Sequence, residues 1–569
     1  METLIENINT ELIKENNKSF SGAELLVKSL LEENVELIFG YPGGAIMPVY
    51  DALYGYKEKL RHVLVRHEQG AIHAAQGFAR ASRKTGVCIA TSGPGATNLI
   101  TGLADAMADS TPVVCITGQV GSHLLGTDAF QETDVMGIST PVTKWNIQVT
   151  KASEIPAAVA KAFYIAKSGR PGPVLIDITK DAQFEKAIFK YKKCLGMRTY
   201  NPSLRVDLSK VQKAAMLINN AKRPFVIFGQ GVVLANAEKE LQALLYKTKI
   251  PAASTLLGLS ALPTEHPQNM GMLGMHGNYA PNLLTNYCDV LIAVGMRFDD
   301  RVTGAVNRYA KQAKIIHLDI DPSEINKVVT CDVAVLGDCK ESLRLLNLLV
   351  NPNEHNAWMQ EFKLLCQAEQ EQVIENDLYP TSVALKMGEV LRVLNESKTP
   401  DTILVTDVGQ HQMVASRYFK FEKERSSITS GGLGTMGFAL PAALGAKMGA
   451  PEREVVAIIG DGGFQMTIQE LATIAQEKQN IKIIILNNNF LGMVRQWQEL
   501  FFSKRYSETE IVNPDFQKLA AGFGINSLKV SKRDELKVGM QKMVNSKTTF
   551  ILEVVVEKEE NVFPMIPTG

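Results

Sequence analysis

Gly460-Asp461-Gly462-Gly463 follows Val455–Ile459, an apolar run rich in β-branched residues. The 24 residues 463–486 then lead to Asn487-Asn488, at the end of a second apolar run, Ile481–Leu486. One carboxylate and one amide oxygen, joined by a backbone carbonyl and phosphate oxygens, make the oxygen-rich shell that Mg²⁺ takes. Glycines beside them let the backbone approach a diphosphate closely. The carboxyl ends of parallel strands are where such ligands bind. The bland reading is a turn in which Asp461 caps local amides, and GDG alone does not exclude it. A further carboxylate stands in Val65-Arg66-His67-Glu68-Gln69-Gly70-Ala71, where a strand-like run opens an Ala/Gly-rich segment. A Glu at a helix start is ordinarily a capping or dipole residue.

Three blocks must position these groups. The chain has 569 residues, 45% apolar and 21% charged, which is ordinary globular composition and enough for about three to five domains. Short β-branched runs alternate with helix-like segments, which predicts an α/β protein built on mostly parallel sheets flanked by helices. The blocks span 20–185, 200–345 and 375–557. Strands are expected at Glu36–Phe39, His62–Val65, Val87–Ala90, Val113–Thr117 and Val174–Ile178 in the first. The second has Phe225–Phe228, Val290–Val294 and Ile315–Leu318; the third has Ile403–Thr406, Val455–Ile459, Ile481–Leu486 and Phe550–Val556. Lys-rich Phe184–Pro202 and polar Asn351–Asp377 read as packed linkers. Glu68–Ser82 and Thr435–Gly449 echo each other: both put small residues on a helix face, which lets a neighbour approach closely.

Composition excludes other classes. Sixty basic and sixty acidic residues give zero formal net charge, without the basic footprint of a nucleic-acid binder. Seven scattered cysteines without a CxxC read as reduced thiols. The polar, acidic N-terminus is neither a secretory signal nor an Arg-rich transit peptide, and no apolar run reaches membrane-span length. The expectation is a cytoplasmic protein with no membrane or nucleic-acid partner.

The strand–GDG and strand–NN pair resembles the thiamine-diphosphate fingerprint. By that resemblance Asp461 and Asn488 are side-chain Mg²⁺ ligands, and the third ligand is the backbone carbonyl of Phe490. Glu68 then falls where these enzymes place the carboxylate that hydrogen-bonds the aminopyrimidine N1′. Further stretches are similar to the catalytic subunit of acetohydroxyacid (acetolactate) synthases, in the family's order. They are Gly40–Ala45, Thr91–Asn98, Thr117–Val120, Gly126–Glu132, Met275–Gly277, Arg297–Gly304, Gly431–Gly437 and Gly492–Trp497. The resemblance runs from about residue 20 to 555. It implies pyrimidine and diphosphate domains around a Rossmann-like middle domain. It also implies decarboxylation of pyruvate and ligation to pyruvate or 2-oxobutyrate, the first common step toward valine, leucine and isoleucine.

The same resemblance assigns roles. Gly44, Phe130, Gln131 and Lys180 line the reaction space, and Met436 supports the bent cofactor. Trp497 and Met493 shape the pocket for the second 2-oxo acid, whose carboxylate pairs with Arg301. Pro42, Gly434, Gly460, Gly462, Gly463 and Gly492 complete the cofactor contacts. Gly229-Gln230-Gly231 alone is a weak signal, read as a tight turn. The Arg297–Arg301 stretch resembles the flavin-retaining synthases, so Arg170, Gly229, Gly231, Met275, His276, Gly277, Arg297, Asp319 and Asp338 are expected around FAD. Active sites shared between chains imply a homo-oligomer, with a separate small regulatory subunit as a further partner. The alternatives are a flavin-dependent pyruvate oxidase, against which the Arg297–Arg301 and Met493–Trp497 stretches speak, and a flavin-free catabolic acetolactate synthase, which lacks the former stretch. Residue by residue the plain readings stay open: Trp497 as core, Lys180 as a surface cation, Met436 as a gap-filler.

Overall fold

The computed structural model of the protein describes residues 18–202 and 204–566. The acidic N-terminal stretch 1–17 and the end of the C-terminal segment, 567–569, lie outside the described residues. In the first block the strands are β1 (Ser19–Ser21), β2 (Leu37–Gly40), β3 (Arg61–Leu64), β4 (Gly86–Ala90), β5 (Val113–Gln119), β6 (Trp145–Val149), β7 (Val174–Thr179) and β8 (Lys186–Ile188). β2 to β7 form one six-stranded sheet in the order β3-β2-β4-β5-β7-β6, parallel throughout. β4, β5 and β7 are buried along their whole length, which is why their sequences are continuous apolar runs and not alternating ones. The stretch read as a linker contributes β8, which pairs antiparallel with β1.

The middle block holds β9 (Pro224–Phe228), β10 (Ala252–Ser254), β11 (Asn269–Met272), β12 (Val290–Val294), β13 (Lys314–Asp319) and β14 (Val333–Leu336). Its parallel order is β11-β10-β9-β12-β13-β14. Within the block that is the order of dinucleotide-binding sheets, with its switch point between β9 and β12. The third block holds β15 (Ile403–Thr406), β16 (Ser427–Thr429), β17 (Val455–Gly460), β18 (Lys482–Asn487), β19 (Asn526–Val530) and β20 (Phe550–Val555). It is again parallel, in the order β16-β15-β17-β18-β20-β19. The fold class expected from the sequence is therefore present: three α/β sheets of six parallel strands. Strands β1, β6, β8, β10, β11, β14, β16 and β19 were not among those expected.

The helices that bear on function are α1 (Glu68–Ser82), α2 (Lys180–Phe184), α3 (Cys339–Leu349), α4 (Asn356–Glu369), α5 (Gln410–Tyr418), α6 (Ala439–Gly449), α7 (Asp461–Met466), α8 (Glu470–Gln476) and α9 (Gly492–Phe501). The described chain gathers into two compact units. The first holds the chain through Pro202 with Leu444–Ala450 and Gln469–Glu477; the second holds the remainder. The small-residue faces of α1 and α6 meet within the first unit. A Cβ on Gly445 would stand 1.8 Å from the Ala74 carbonyl oxygen, and one on Gly449 would stand 2.9 Å from that of Phe78. The seven cysteines are free thiols. Among the described residues no helix is long and apolar enough to cross a membrane.

Candidate active site

The first unit gathers its candidates on one turn. Thr91–Asn98 follows β4, and its residues touch three separate segments. A Cβ on Gly43 would meet the Thr91 side chain at 2.5 Å, and the Ala45 amide donates to Thr91 Oγ1 at 3.2 Å. Gly93, at φ +57°, lies against Gln131: a Cβ there would stand 2.9 Å from the Gln131 carbonyl oxygen. Gly95 would bring a Cβ within 3.3 Å of Glu68 Oε1, and Asn98 Nδ2 donates to Glu68 Oε2 at 2.9 Å. Gly44, Gln131 and Glu68 are thus brought to one place. A Cβ on Gly44 would meet nothing within 4 Å, so the backbone there faces open space. Gln131 itself sits at φ +60°, a conformation that side chains rarely take and that often marks functional loops. Its neighbour Phe130 is 88% exposed, which no core role explains.

Lys180 begins α2 directly after β7, and its amide meets the Val120 carbonyl at 3.4 Å, at the ends of the neighbouring β5 and β7. Gly118 of β5 packs on the Ala45 backbone, so the Pro42–Ala45 loop and Lys180 share this sheet edge. Beside Lys180, Asp181 accepts from the Ser122 amide and hydroxyl; these bonds outweigh burial and hold its carboxyl down to about 2. Arg170 is placed differently. It bonds Ser110 Oγ at 2.8 Å, beyond the end of the helix that follows the Thr91–Asn98 turn.

The second unit gathers its own candidates at strand ends. Asp461 leaves β17 almost fully buried, and its Oδ2 accepts from the Asn489 amide at 2.9 Å and from Asn513 Nδ2 at 2.6 Å. Burial pushes its carboxyl up to about 6, against the pull of these donors. Asn488, at the end of β18, uses Oδ1 to accept from the Phe490 amide at 3.2 Å. Phe490 bridges to Glu510 through the Leu491 amide and the Asn489 carbonyl, so this bridge does not use the Phe490 carbonyl. Met436 Cε lies 3.9 Å from where a Cβ on Gly462 would stand. Gly434 is exposed at φ +71°. Gly492 opens α9 where a Cβ would stand 2.1 Å from Gln410 Oε1 and 2.9 Å from Asn488 Nδ2.

Buried polar atoms test whether these residues fit the implied metal and cofactor. Asn488 Nδ2, Gln410 Oε1 and His411 Nε2 are all buried without a hydrogen-bond partner. Such orphans are costly unless something else meets them. The His411 ring lies 2.8 Å from where a Cβ on Gly460 would stand, and burial pushes its imidazole down to about 3, so it stays neutral. These groups surround the glycine turn and fit a polar anionic ligand with a cation.

Sequence reasoning passed over Asp407, Gln410, His411 and Asn513. Asp407 ends β15, accepts from the Val408 and Gly437 amides at 2.8 and 2.9 Å, and fills the space that a Cβ on Gly463 would need. It ties the Met436 loop to the Gly460–Gly463 turn. The signal was available, because Asp407-Val408-Gly409 follows an apolar run just as Asp461 does. Asn513 left no signal, since its partners are distant in sequence.

Helix α9 turns polar residues inward. Arg495 and Gln496 are buried, while Val494, Leu500 and Phe501 are exposed and Met493 and Trp497 are half-buried. The Trp497 ring lies 5.0 Å from that of Phe501, tilted by 43°, and is half-buried, so it is not a fully buried core residue. Gln496 and Arg495 grip the C-terminal segment: the Val562 amide donates to Gln496 Oε1 at 2.9 Å, and Arg495 donates to the Glu560 carbonyl at 2.9 Å.

In the middle block, Gly229 and Gly231 press against Gly295 at the switch point. The Met275 amide donates to the Arg301 carbonyl at 2.9 Å, and Arg301 reaches Met275 Sδ at 3.5 Å. Gly277 packs on the Met272 and Leu273 backbone. His276 Nδ1 is buried and unpartnered; burial, then Arg417 and Arg301, push the ring down to about 4. Arg297 is half-buried near Asp299. The strand order and the orphaned His276 Nδ1 fit a nucleotide cofactor. Two candidates have plainer work: Asp338 caps α3 through the Lys340 and Glu341 amides, and Asp319 accepts from the Asp321 amide.

Three thiamine pyrophosphate enzyme profiles match the chain: the N-terminal TPP binding domain at 20–138, the central domain at 211–346 and the C-terminal TPP binding domain at 407–554. The acetolactate synthase isozyme 2 large subunit of Escherichia coli K12 is 47% identical over 550 residues, covering 96% of this chain and 98% of that protein. The acetolactate synthase large subunit of Corynebacterium glutamicum is 47% identical over 567 residues, covering 96% and 89%. That of Lactococcus lactis subsp. lactis is 42% identical over 554 residues, covering 97% and 95%. By this likeness over nearly the whole length, the chain belongs to the acetolactate synthase large-subunit family of thiamine-diphosphate enzymes.

Proposed function

We propose a division of labour for this thiamine-diphosphate-dependent acetolactate synthase, which acts in branched-chain amino acid biosynthesis. Residues 20–185 form the pyrimidine-binding domain, 200–345 the FAD-associated domain and 375–557 the diphosphate domain. Asp461, Asn488 and the Phe490 carbonyl hold Mg²⁺, and Gly460, Gly462, Gly463, Gln410 and His411 surround the diphosphate. Thiamine diphosphate, when bound, supplies the electron sink for loss of CO₂ from pyruvate.

Glu68 holds the proton at the aminopyrimidine N1′, itself oriented by Asn98. Gly434, Gly492, Met436 and Pro42 contact the cofactor, and Met436 keeps its reactive atoms in register. Gly44, Phe130, Gln131 and Lys180 exclude water around the reacting carbonyl. Met493 and Trp497 receive the apolar end of the second 2-oxo acid, and the Arg301 guanidinium pairs with its carboxylate, a fork-to-fork match. FAD sits at the β9–β12 switch point near Gly229, Gly231, Met275, His276, Gly277 and Arg297, with Arg170, Asp319 and Asp338 as outer contacts. Two chains share each active site, a small regulatory subunit binds the assembly, and the enzyme works in the cytoplasm.

The observation that carries this reading is the cluster of orphaned polar atoms around the Gly460–Gly463 turn. The experiment is product identification. The protein with thiamine diphosphate, Mg²⁺ and FAD receives pyruvate alone, then pyruvate with 2-oxobutyrate, without oxygen. Acetolactate, and mainly acetohydroxybutyrate from the mixture, is the expected result. Acetaldehyde, or no product until an electron acceptor is added, overturns the ligation chemistry.

A further inference from the structure

We infer that Glu470, on α8, is a positioning residue for Glu68, an inference that rests on the catalytic assignment of Glu68 above. A helix N-terminus exposes several amides without intrahelical partners, and an acidic residue in the first turn is usually drawn back onto them. Glu68 is the first residue of α1. Left alone, its carboxylate would fold onto those amides and would not reach outward.

Other groups take amides on both sides of the helix start: Arg66 and the cap His67 precede α1, and Gln69 lies in its first turn. Glu470 Oε1 accepts from the Arg66 amide at 3.0 Å, and its carboxylate also bonds the His67 backbone. His67 Nδ1 accepts from the Gln69 amide at 3.1 Å. Glu68 instead takes its hydrogen bond from the Asn98 side chain at 2.9 Å. Two carboxylates at one helix start therefore divide the work: Glu470 neutralises the terminus, and Glu68 stays available to a ligand.

Glu470 is held firmly in this role. It is fully buried, and Thr473 Oγ1 donates to its Oε2 at 2.7 Å. A Cβ on Gly70 would stand 2.5 Å from Glu470 Oε1, so the glycine in the first turn of α1 makes room for this carboxylate. Burial raises its pKa, while Thr473 and the backbone amides oppose the rise. The same helix pins the approach to α1 twice more. Arg66 donates to Gln476 Oε1 at 2.7 Å, and Arg61 pairs with Glu477 at 2.5 Å. Helix α8 follows the Gly460–Gly463 turn in sequence, so the segment that leaves the diphosphate turn of a chain also sets the carboxylate of that same chain.

The test compares Glu68→Gln, Glu470→Gln, Gly70→Ala and the double Glu68→Gln/Glu470→Gln with the parent, in the Mg²⁺ and thiamine-diphosphate complex. Two quantities are read: the exchange rate of the bound cofactor's C2 proton, and amide deuterium exchange over residues 64–72 in the cofactor-free chain. Glu470→Gln and Gly70→Ala should each slow C2 exchange by on the order of tenfold or more, with cofactor affinity changed less than about twofold. Amides 66–71 should exchange faster in both. The double variant should be no slower than Glu68→Gln, because Glu470 acts through Glu68. A role in helix stability alone predicts the opposite for Gly70→Ala, since alanine favours the helix. C2 exchange in Glu470→Gln within about twofold of the parent, or an additive double variant, overturns the inference while leaving Glu68 in place. Parental exchange in Glu68→Gln removes both assignments.

Discussion

The first and third blocks share one topology and use it for different chemistry. Numbered within each block, both sheets run 2-1-3-4-6-5. The segment after the second strand reaches Glu68, at a helix start, in the first block and Met436, in a loop, in the third. The helices that follow those loops, α1 and α6, are the pair whose small-residue faces touch. At the ends of the first, third and fourth strands the blocks part. The first block offers Tyr41-Pro42-Gly43, Thr91-Ser92-Gly93 and Val120, which are neutral; the third offers Asp407, Asp461 and Asn488. The fold fixes which positions lie at the strand ends, and under the proposed function the residue types decide which end of the cofactor each block suits: a neutral wall with one carboxylate for a heterocycle, an oxygen cluster for a metal and phosphates.

The sharpest way to break this comparison is to remove the single carboxylate of the neutral half. Glu68→Gln should lower turnover by about 10²-fold or more, while Mg²⁺ and diphosphate still bind through the other half. Steady-state rates beside calorimetric cofactor binding check it. Near-normal turnover would mean that the first block supplies only a wall.

Much of this architecture was legible in the sequence because the central strands are long and buried. Val455–Ile459 and Val290–Val294 need no tertiary context to read as strands. The unexpected strands are short or compositionally mixed: β10 is Ala-Ala-Ser, β11 is Asn-Met-Gly-Met and β16 is Ser-Ile-Thr. Such segments become strands because a neighbour offers an edge, which no local pattern records. The site divides the same way. Asp461 and Asn488 were legible because they sit directly at strand ends. Asn513, Gln410 and Glu470 were not, since each is polar in an unremarkable loop or helix and gains meaning only from partners far along the chain.

The next test concerns the paired helices. Gly445→Ala places a methyl 1.8 Å from the Ala74 carbonyl oxygen, a backbone atom with little freedom to move. The packing cost, about 1–3 kcal/mol, exceeds the gain in helix propensity of at most about 1 kcal/mol. Denaturant melts should show the loss. Unchanged stability would mean that the likeness of α1 and α6 is not a shared packing device.

Helix α9 sharpens the third block's side. Its inward Arg495 and Gln496 leave Trp497 and Met493 on a half-open apolar face. Trp497→Leu should shift the product ratio from acetohydroxybutyrate toward acetolactate by about tenfold, with acetolactate formation retained, read by chromatography of products from mixed substrates. A constant ratio would return Trp497 to a supporting role beside Phe501.

The smallest expected effect separates the two halves by pH. Asp407 is fully buried, and burial pushes its carboxyl up to about 7, though the Val408 and Gly437 amides resist. A free Asp titrates near 4, so between about pH 4 and 7 the folded state holds a proton that the unfolded chain has lost. Stability from this group is therefore present below the lower value and lost as pH rises toward the upper one. Asp407→Asn carries no such proton. Relative to the variant, the cofactor-free parent should melt progressively lower as pH rises from 5 to 7, by less than about 1.4 kcal/mol per pH unit. The first block has a Tyr-Pro-Gly loop at the same topological position and no carboxylate there. A melting difference that does not change with pH would show that Asp407 is ionised throughout, and that the third block keeps its strand-end charges even without a metal beside them.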